Sequence, residues 1–431
     1  MREAIAQTFE ILWAHKLRSF LTMFGITWGV ISVVVLTATG EGFRRGNEHV
    51  LQELGQNIGI TWGGRTSLQA GGERAGRRIF LTVDDARYLQ AEAKTVRVAT
   101  PELQRGGIKV KSAYNAAAPN VHGIEPSYQQ IRTIDVQHGR QLNWDDERLV
   151  NRVAILGADL AKQLFAGRDP LGEPISLNGI TYNVVGTIRK KDQDSNYSGP
   201  DNDKCFVPFT AMAQDFPRIG VDPGVVSNLI IAPKQWVVDD LPRQFDERTG
   251  RIRDIDWVLE KDVRETLARK KGYDPADKEA ISMWDTSVNS LMFGRMVQDM
   301  RDFFTAVGFV TLALGGLGVM NIMLIAVKER TREIGVRKAL GATTRTILRQ
   351  FFLEGFFITA ISGAIGIAVA LGLCTAINLL PMPARFAGMA FTPGAAIMTV
   401  SSLALLGIVT ALYPARRAAE LPPVEALRYE M

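Results

Sequence analysis

The sequence predicts a membrane protein with four transmembrane α-helices and a large α+β domain inserted between the first helix and the second. The 431 residues have a mean hydropathy of only +0.03, yet their apolar residues are gathered in long blocks around a polar middle. Four of these blocks are long enough to cross a bilayer, which takes about 20 apolar residues in a helix. The polar middle, residues 41–300, contains no further block of that length.

The chain is predicted to begin with an amphipathic helix, residues 1–17, that lies on the cytoplasmic face of the membrane. Apolar residues recur on one side of this helix and charged residues occupy much of the rest. A signal peptide would place its apolar core directly after a charged start, which is not the pattern here. The first span follows at residues 18–40. Its Gly25 and Gly29 form a GxxxG pair, which permits close approach to another helix of the chain or to a second subunit.

The middle of the chain is predicted to be an α+β domain that helical segments connect to the first and second spans. Thr82 precedes acidic residues in a pattern typical of a capped helix. Residues 153–188 read as strand, helix and β-hairpin, with an Asn-Gly turn in the hairpin. Residues 192–204 are rich in carboxylates but lack EF-hand spacing, so they predict a solvated loop and no calcium site. The four histidines and two cysteines show no metal-ligand spacing, so no metal site is expected.

Residues 301–431 are predicted to hold the other three spans. These are placed at residues 303–327, at residues 347–380, and from a capping Thr392 to Tyr413. Four glycines predict that the second span packs closely against another helix or bends: Gly308, Gly315, Gly316 and Gly318.

A densely charged segment between the second and third spans is predicted to form a short amphipathic helix, residues 329–342. Glu333 and Arg337 stand one helical turn apart and can pair, while Ile334 and Leu340 can face a partner. On periodicity alone, a basic loop at the membrane surface is the favoured interpretation, ahead of a docking element for a soluble protein.

The distribution of basic residues predicts the orientation in the membrane. Residues 328–349 contain seven lysines and arginines against two glutamates, whereas the loop between the third and fourth spans contains only Arg385. Basic loops remain in the cytoplasm, so both termini and the charged segment are predicted to be cytoplasmic and the large domain to lie outside. The net charge of +5 is therefore attributed to topology, and no nucleic-acid partner is expected.

Three segments together resemble the MacB/FtsX family of ABC-transporter permeases. GGLGVMNIM at 315–323 followed by ERTREIGVRKALGA at 329–342 resembles the family signature. Residues 153–188 look like the periplasmic core domain of MacB-like proteins, and residues 414–430 look like the C-terminal end of the family. This resemblance reverses the preference stated above and favours a docking helix at 329–342.

The resemblance implies a bacterial inner-membrane permease subunit that pairs with a second copy or with a paralogue. A cytoplasmic ABC ATPase would dock on the helix, and ATP hydrolysis would move the periplasmic domain by mechanotransmission and drive substrate export. A periplasmic adaptor and an outer-membrane channel are further partners that it implies. The coupling residues implied by the match are Glu329, Arg330, Arg332, Glu333, Ile334, Arg337, Lys338, Leu340 and Gly341.

The chain itself is expected to be non-catalytic and to bind no cofactor. Its sequence contains no phosphate-binding loop, so ATP and magnesium are expected to bind to the partner ATPase. Two alternatives share the four-span architecture: a lipoprotein-releasing permease of the LolC/LolE type, and an FtsX-like module that activates a cell-wall hydrolase. The length of the outer domain favours the MacB-like function. A membrane enzyme or secondary transporter is disfavoured, since neither a nucleophile–base pair nor an inverted repeat can be found.

Overall fold

The computed structural model describes residues 16–55, 57–191, 197–218, 220–246, 251–252, 257–383, 385–422 and 426. All but the end of the amphipathic helix predicted at residues 1–17 therefore lies outside the described residues. The chain divides into two compact units, one formed by residues 1–46 with 295–431 and the other by residues 47–294. Residues 41–300 were predicted for the inserted domain.

The helices of the described residues are α1 (Lys16–Leu54), α2 (Val83–Glu92), α3 (Pro126–Ile131), α4 (Trp144–Arg148), α5 (Ala158–Phe165), α6 (Phe209–Asp215), α7 (Gln235–Gln244), α8 (Val258–Lys271), α9 (Thr286–Glu329), α10 (Thr331–Ala339), α11 (Thr344–Asn378) and α12 (Pro393–Glu420). The strands are β1 (Gly59–Gly63), β2 (Val96–Arg105), β3 (Val110–Lys111), β4 (Ala116–Ala117), β5 (Val121–Ile124), β6 (Val136–Gly139), β7 (Val153–Leu156), β8 (Pro174–Leu177), β9 (Ile180–Ile188), β10 (Cys205–Pro208), β11 (Asn228–Pro233), β12 (Phe245–Asp246), β13 (Arg251–Ile252) and β14 (Ile281–Asp285).

The four predicted spans are confirmed, since α1, α9, α11 and α12 are each long and apolar enough to cross a membrane. Helix α9 contains 44 residues, which at 1.5 Å per residue is about 66 Å. The apolar core of a bilayer is only about 30 Å thick. Only part of α9 therefore has to lie in the membrane, in keeping with the span predicted at residues 303–327.

The two ends of α12 show how local residues set its length. It begins as predicted, because the Thr392 hydroxyl accepts a hydrogen bond from the backbone N–H of Ala395 (3.3 Å). The helix continues beyond Tyr413, where the span was predicted to end, and reaches Glu420 with Pro414 inside it. A proline removes one backbone hydrogen bond and bends a helix without necessarily ending it in a membrane protein.

An apolar cluster joins the long helices within the helical unit. It includes Ile26 and Val30 of α1, Leu312 of α9 and Phe351 of α11, all 2 % exposed or less. Lipid tails are as apolar as these side chains, so close van der Waals packing holds such helices together more than the hydrophobic effect does.

The second unit is built on a twelve-stranded mixed sheet with the strand order β14-β1-β11-β2-β5-β10-β7-β9-β8-β3-β4, and β6 pairs with β9 beside that row. Strands β5 and β10 are parallel, as are β7 and β9, and the other pairs in this sheet are antiparallel. Helices and strands are therefore combined in one sheet-based domain, which confirms the predicted α+β class.

Alternating side chains divide the sheet into two apolar faces. In β11, Leu229 and Ile231 belong to a large core that also contains residues of α2, α5, α6, α7 and α8. Ile230 and Ala232 of the same strand belong to a smaller core on the opposite face, with residues of α3. This follows from the two-residue period of a strand. The smaller face carries the buried charges described below.

The local predictions for this domain hold in several places. The backbone N–H of Thr82 is hydrogen-bonded by the carboxylate of Asp85 at the start of α2, in a capping box. The β8–β9 hairpin turns at Asn178 and Gly179, whose φ angles are +46° and +95°. A two-residue hairpin turn of type I′ requires positive φ angles at both central positions.

The prediction of a solvated loop at residues 192–204 is wrong for the second half of that segment. Asp201, Asn202 and Lys204 are 0, 6 and 1 % exposed, whereas residues 192–196 lie outside the described residues. Burial of a carboxylate requires compensating partners, and Asp201 has them in the buried cations described below.

Candidate functional site

The charged segment between the second and third spans forms α10, which is set off by a break at each end. Helix α9 ends at Glu329, and Arg330 stands between the two helices with non-helical backbone angles (φ −101°, ψ 11°). At the other end Gly341 has φ +102°, a value that favours glycine. Thr343 then caps α11, accepting a hydrogen bond from the N–H of Thr346 (3.3 Å). The helix is therefore two residues shorter at its start and three at its end than the predicted 329–342.

One face of α10 packs into its own unit. Thr331, Ile334 and Gly335 are buried, and the Thr331 hydroxyl donates to the carbonyl of Val327 (3.1 Å). Ile334 is 2 % exposed and belongs to the apolar cluster of the long helices. The expectation that Ile334 faces a partner together with Leu340 is therefore wrong, because Ile334 supplies the contact that seats α10.

Polar contacts fasten α10 and its N-terminal cap to α11 and α12. The Arg330 guanidinium lies 3.6 Å from the carboxylate of Glu354, which is 2 % exposed and lies in α11. Lys338 Nζ donates to the backbone carbonyls of Ala419 (2.5 Å) and Leu421 (2.8 Å). A cation at this position satisfies carbonyl groups at the end of α12 that have no partner within the helix.

The predicted Glu333–Arg337 pair is present. Arg337 donates to the Glu333 carboxylate (2.5 Å) across one turn of α10, and also to the side-chain oxygen of Gln350 in α11 (2.8 Å). The pair is partly exposed, with 35 % of the Arg337 side chain and 49 % of the Glu333 side chain accessible. It therefore both braces the helix and remains reachable from outside.

The opposite face of α10 is open. Leu340 is 84 % exposed and Val336 43 % exposed. Arg332 is exposed and has no hydrogen bond or ion pair with any residue that the structure describes. Two apolar side chains and an unpaired cation thus remain available for contact with a second protein.

The predicted packing glycines bring α1 and α9 together within the chain. A Cβ atom added to Gly315 would lie 2.8 Å from the backbone carbonyl carbon of Gly25, and one added to Gly29 would lie 3.1 Å from the side chain of Leu312. Gly316 serves a different contact, because a Cβ atom there would lie 2.7 Å from side-chain atoms of Leu406 and Thr410 in α12. Gly318 is half-buried.

A buried polar network that sequence reasoning missed lies on the smaller face of the sheet. The carboxylate of Glu102, in β2, is 2.6 Å from Nδ1 of His122 in β5 and accepts a hydrogen bond from the Tyr128 hydroxyl (2.8 Å). The Tyr197 hydroxyl and the Asn228 amide bond to its other oxygen. Burial opposes ionisation of Glu102, but the hydrogen bond from His122 and the charge of Lys204 outweigh it and lower the pKa of Glu102 to about 2.

A second buried carboxylate, Asp201, stands among three cations. Arg132, Lys191 and Lys204 place nitrogen atoms 3.2, 3.1 and 3.0 Å from its oxygens, and none of the four residues is more than 1 % exposed. Burial opposes ionisation, but the charges of the three cations hold the pKa of Asp201 well below its usual range. Glu102 lies in a segment whose alternating apolar and polar residues predict a strand. That pattern does not identify the residues that contact Glu102, and no pattern predicts that Asp201 is buried.

A metal site requires several nitrogen, sulfur or oxygen ligands close together. The described residues contain no cluster of three or more histidine, cysteine, aspartate or glutamate side chains able to hold a metal ion. Cys205 and Cys374 are both free and buried, and burial raises the pKa of the Cys205 thiol to about 12.

Two family profiles match the chain. Residues 19–239 match a family described as the MacB-like periplasmic core domain, and residues 305–423 match the FtsX-like permease C-terminal family. The second match contains α10.

Similar proteins match along nearly the whole chain. The macrolide export ATP-binding/permease protein MacB of Bdellovibrio bacteriovorus is 31 % identical over 100 % of the chain, and the MacB of Agrobacterium fabrum is 31 % identical over 99 %. The chain spans only 62 % and 60 % of the length of these two relatives. The uncharacterized ABC transporter permease YknZ of Bacillus subtilis is 28 % identical, and the match covers 99 % of both chains.

Two solved structures match part of the chain. The periplasmic region of MacB from Actinobacillus actinomycetemcomitans matches with 18 % identity and a TM-score of 0.39, over 58 % of this chain and 96 % of that one. The extracellular domain of YknZ from Gram-positive bacteria matches with 18 % identity and a TM-score of 0.38, over 53 % and 100 %.

Proposed function

The chain belongs to the family of ABC-transporter permeases that combine a MacB-like periplasmic core domain with an FtsX-like C-terminal region, and we propose that it is the membrane subunit of a transporter driven by a separate cytoplasmic ATPase. In this proposal the ATPase docks on α10 and the inserted domain is the moving part outside the membrane. The chain acts by mechanotransmission and carries out no chemistry itself. ATP and magnesium bind to the ATPase.

The single observation that carries the proposal is that one face of α10 is buried against its own unit while the opposite face is exposed. Ile334 is buried in the unit, while Leu340 and Val336 are 84 % and 43 % exposed. An exposed leucine is unremarkable alone. Here Val336 of the nine-residue helix and Leu340, which caps its C-terminus, accompany Arg332, a cation without a hydrogen bond or ion pair to any described residue. A mixed apolar and basic surface of this kind suits a groove on a soluble protein.

The contacts of α10 provide a route for force. A push on the open face would be resisted by Ile334 in the apolar cluster, by Lys338 bound to the end of α12, and by the Arg330–Glu354 pair to α11. Helix α10 is thus attached to α11 and α12, and only Arg330 separates it from α9. We propose that displacement of α10 moves these spans together, since a packed element shifts as a body and deforms little.

The proposal includes a pair of permease subunits, identical or paralogous, in a bacterial inner membrane. The glycines of α1 and α9 already pack against helices of the same chain, so a second subunit would contact other residues. The exposed side of α1 offers Phe20, Phe24 and Trp28, which are 50 % exposed or more. Orientation with both termini in the cytoplasm follows from the basic residues around α10 and the positive-inside rule. A periplasmic adaptor and an outer-membrane channel would complete an export route.

The test removes the open face of α10. The full-length tagged chain is purified from membranes of its source organism with the ABC ATPase that accompanies it, and ATP hydrolysis and ATPase binding are measured in nanodiscs. Val336→Ser with Leu340→Ser should weaken ATPase binding at least about tenfold, since burying one such side chain contributes roughly 1.5–3 kcal/mol. Glu333→Ala with Arg337→Ala should uncouple hydrolysis from transport while membrane insertion persists.

A matched control makes the same chemical change elsewhere. Leu379→Ser with Leu380→Ser alters two leucines, 87 % and 62 % exposed, at the opposite end of α11. This control should leave ATPase binding unchanged. The proposal is overturned if no ABC ATPase accompanies the chain, or if the α10 variants bind and stimulate the ATPase as the wild type does.

A further inference from the structure

A cavity of about 410 Å³ lies in the helical unit between the ends of α9 and α12. Its wall includes Lys328 and Asn321 of α9, Tyr413 and Arg417 of α12, and Leu421 beyond α12. Among the described residues that line it, none is acidic. The cavity therefore has a net positive charge together with amide, hydroxyl and apolar groups.

The two cations of this cavity differ from the other basic residues nearby. Arg337 bonds to Glu333, and Lys338 bonds to two backbone carbonyls. Lys328 and Arg417 are exposed and have no hydrogen bond or ion pair with any residue that the structure describes. Two unpaired cations on the wall of one cavity are free to hold an anion.

Both helices continue from the cavity as apolar ridges. On α12, Leu405 and Val409 are 61 % and 60 % exposed and lie one turn apart, followed at the same spacing by Tyr413 and Arg417. Residues four positions apart lie on the same face of a helix. Along this face the side chains change from apolar at Leu405 and Val409, to amphipathic at Tyr413, to cationic at Arg417.

Helix α9 repeats this order. Leu314 and Leu317 are 63 % and 54 % exposed and are followed by Asn321 and Lys328 at spacings that keep one face of the helix. The two helices touch at Gly316, where a Cβ atom would lie 2.7 Å from Leu406 and Thr410. The exposed faces of α9 and α12 therefore both change from apolar to polar residues toward the cavity.

We propose that this cavity binds the headgroup of an anionic phospholipid. Its phosphate is held by Lys328 and Arg417, its glycerol and ester oxygens by Asn321 and Tyr413, and its acyl chains lie on the exposed ridges of α9 and α12. Tyrosine is favoured at this depth, where the bilayer changes from apolar to polar. Basic pockets between membrane helices on the cytoplasmic side favour such headgroups.

The site requires the four spans to lie in a bilayer but does not require an ATPase to drive them. It goes beyond the proposed coupling function, because its ligand is a component of the membrane. The cavity is also lined by Thr331 of α10 and by Leu421, whose carbonyl is bound by Lys338. A bound lipid would therefore contact the elements that hold α10 in place.

The test measures lipid binding by the full-length chain, alone and without nucleotide. Native mass spectrometry of the detergent-solubilised protein is titrated with phosphatidylglycerol and, separately, with phosphatidylcholine. We expect tighter binding of phosphatidylglycerol. Lys328→Gln with Arg417→Gln should weaken it about 25-fold, since each cation near a membrane surface contributes about fivefold. Lys328→Arg should retain the wild-type affinity.

The matched control is Arg345→Gln with Arg349→Gln, which removes two exposed cations of α11 that do not line the cavity. An equal loss of affinity in this control would show general surface attraction and overturn the proposal. A second variant, Leu324→Trp, fills the cavity without changing its charge and should weaken binding of the lipid at least about fivefold. Each variant is first shown to be monodisperse by gel filtration.

Two further arms separate the lipid from other anions. Inorganic phosphate and glycerol 3-phosphate should compete poorly, because they lack acyl chains for the two ridges. Strong competition by either would mean a site for a soluble phosphate and would overturn the lipid assignment. Unchanged lipid binding by the Lys328→Gln/Arg417→Gln variant, with loss of ATPase binding in the nanodisc assay, would assign the cavity to the ATPase and equally overturn it.

Discussion

Asp201 shows at the scale of one residue how the inserted domain carries buried charge. Three cations surround its fully buried carboxylate, so the group is stabilised as an ion and the cations depend on it. We expect Asp201→Asn to destabilise the domain by about 3–5 kcal/mol, because the change leaves three buried cations without their counter-charge. Urea unfolding of the full chain in detergent, followed by tryptophan fluorescence, measures this loss.

The control for this prediction is Asp145→Asn. Asp145 also forms an ion pair, with Arg148, but the two side chains are 62 % and 75 % exposed. Exposed pairs of this kind contribute at most about 1 kcal/mol. Equal destabilisation by the two variants would contradict the role given to the buried cluster.

The sequence could not predict this cluster, and the reason is physical. Asp201 lies in a run of polar residues that looks solvated, and its partners are separated from it by up to 69 residues. Which charged side chains meet in a folded domain depends on how distant strands pair. The periodicity of apolar residues along the sequence predicts the strands themselves, but it does not predict their pairing. Glu102 and His122 are neighbours only because β2 and β5 pair, with Gln104 opposite His122.

At the scale of helices, the contact between α1 and α9 depends on the absence of side chains. An added Cβ atom at Gly315 would lie 2.8 Å from backbone atoms of Gly25 and Ile26, and backbone atoms cannot rotate away. We expect Gly315→Val to separate the two helices and to destabilise the helical unit by about 1–3 kcal/mol. Thermal unfolding of the full chain in detergent measures the effect.

Replacing Gly372 by valine is the control that separates the effect of lost helix packing from the effect of helix propensity. Gly372 lies in α11, and a Cβ atom there would meet nothing within 4 Å. Glycine is a poor helix former, so Gly372→Val should be neutral or slightly stabilising. A loss of stability at Gly372 as large as that at Gly315 would show that the close contact is unimportant.

Helices, strands and turns were predictable where nearby residues in the sequence determine them. They were less predictable where contacts with other helices determine them. Hydropathy placed all four spans, and turn and cap residues placed the β8–β9 hairpin and the start of α12. The end of α12 was missed, because packing carries the helix past Pro414. For α10 the sequence predicted the helix and the Glu333–Arg337 pair, but the burial of Ile334 depends on side chains of other helices.

At the scale of the whole molecule, the proposed function depends on the side of the membrane that each unit faces. The inserted domain must lie outside and α10 in the cytoplasm, so that an ATPase on one side can act on a domain on the other. Basic residues near α10 favour this orientation through the positive-inside rule, and the four spans are consistent with it.

The native cysteines make this orientation directly measurable. Both Cys205 and Cys374 are buried, and the raised pKa of Cys205, about 12, leaves almost no reactive thiolate at neutral pH. A cysteine introduced at an exposed position should therefore be the main site that a maleimide labels. Glu73 in the inserted domain and Leu340 beside α10 are exposed and suit this purpose.

We expect a membrane-impermeant maleimide to label Glu73→Cys in cells whose inner membrane is intact, and to label Leu340→Cys only after the membrane is broken. The reason is that the probe cannot cross the bilayer, so the first reaction reports the outer side and the second the cytoplasm. The unsubstituted chain provides the background, and labelling after lysis shows that each new thiol is accessible. The reverse pattern would place α10 outside the cell's ATP supply, and docking of a cytoplasmic ATPase on it would then be impossible.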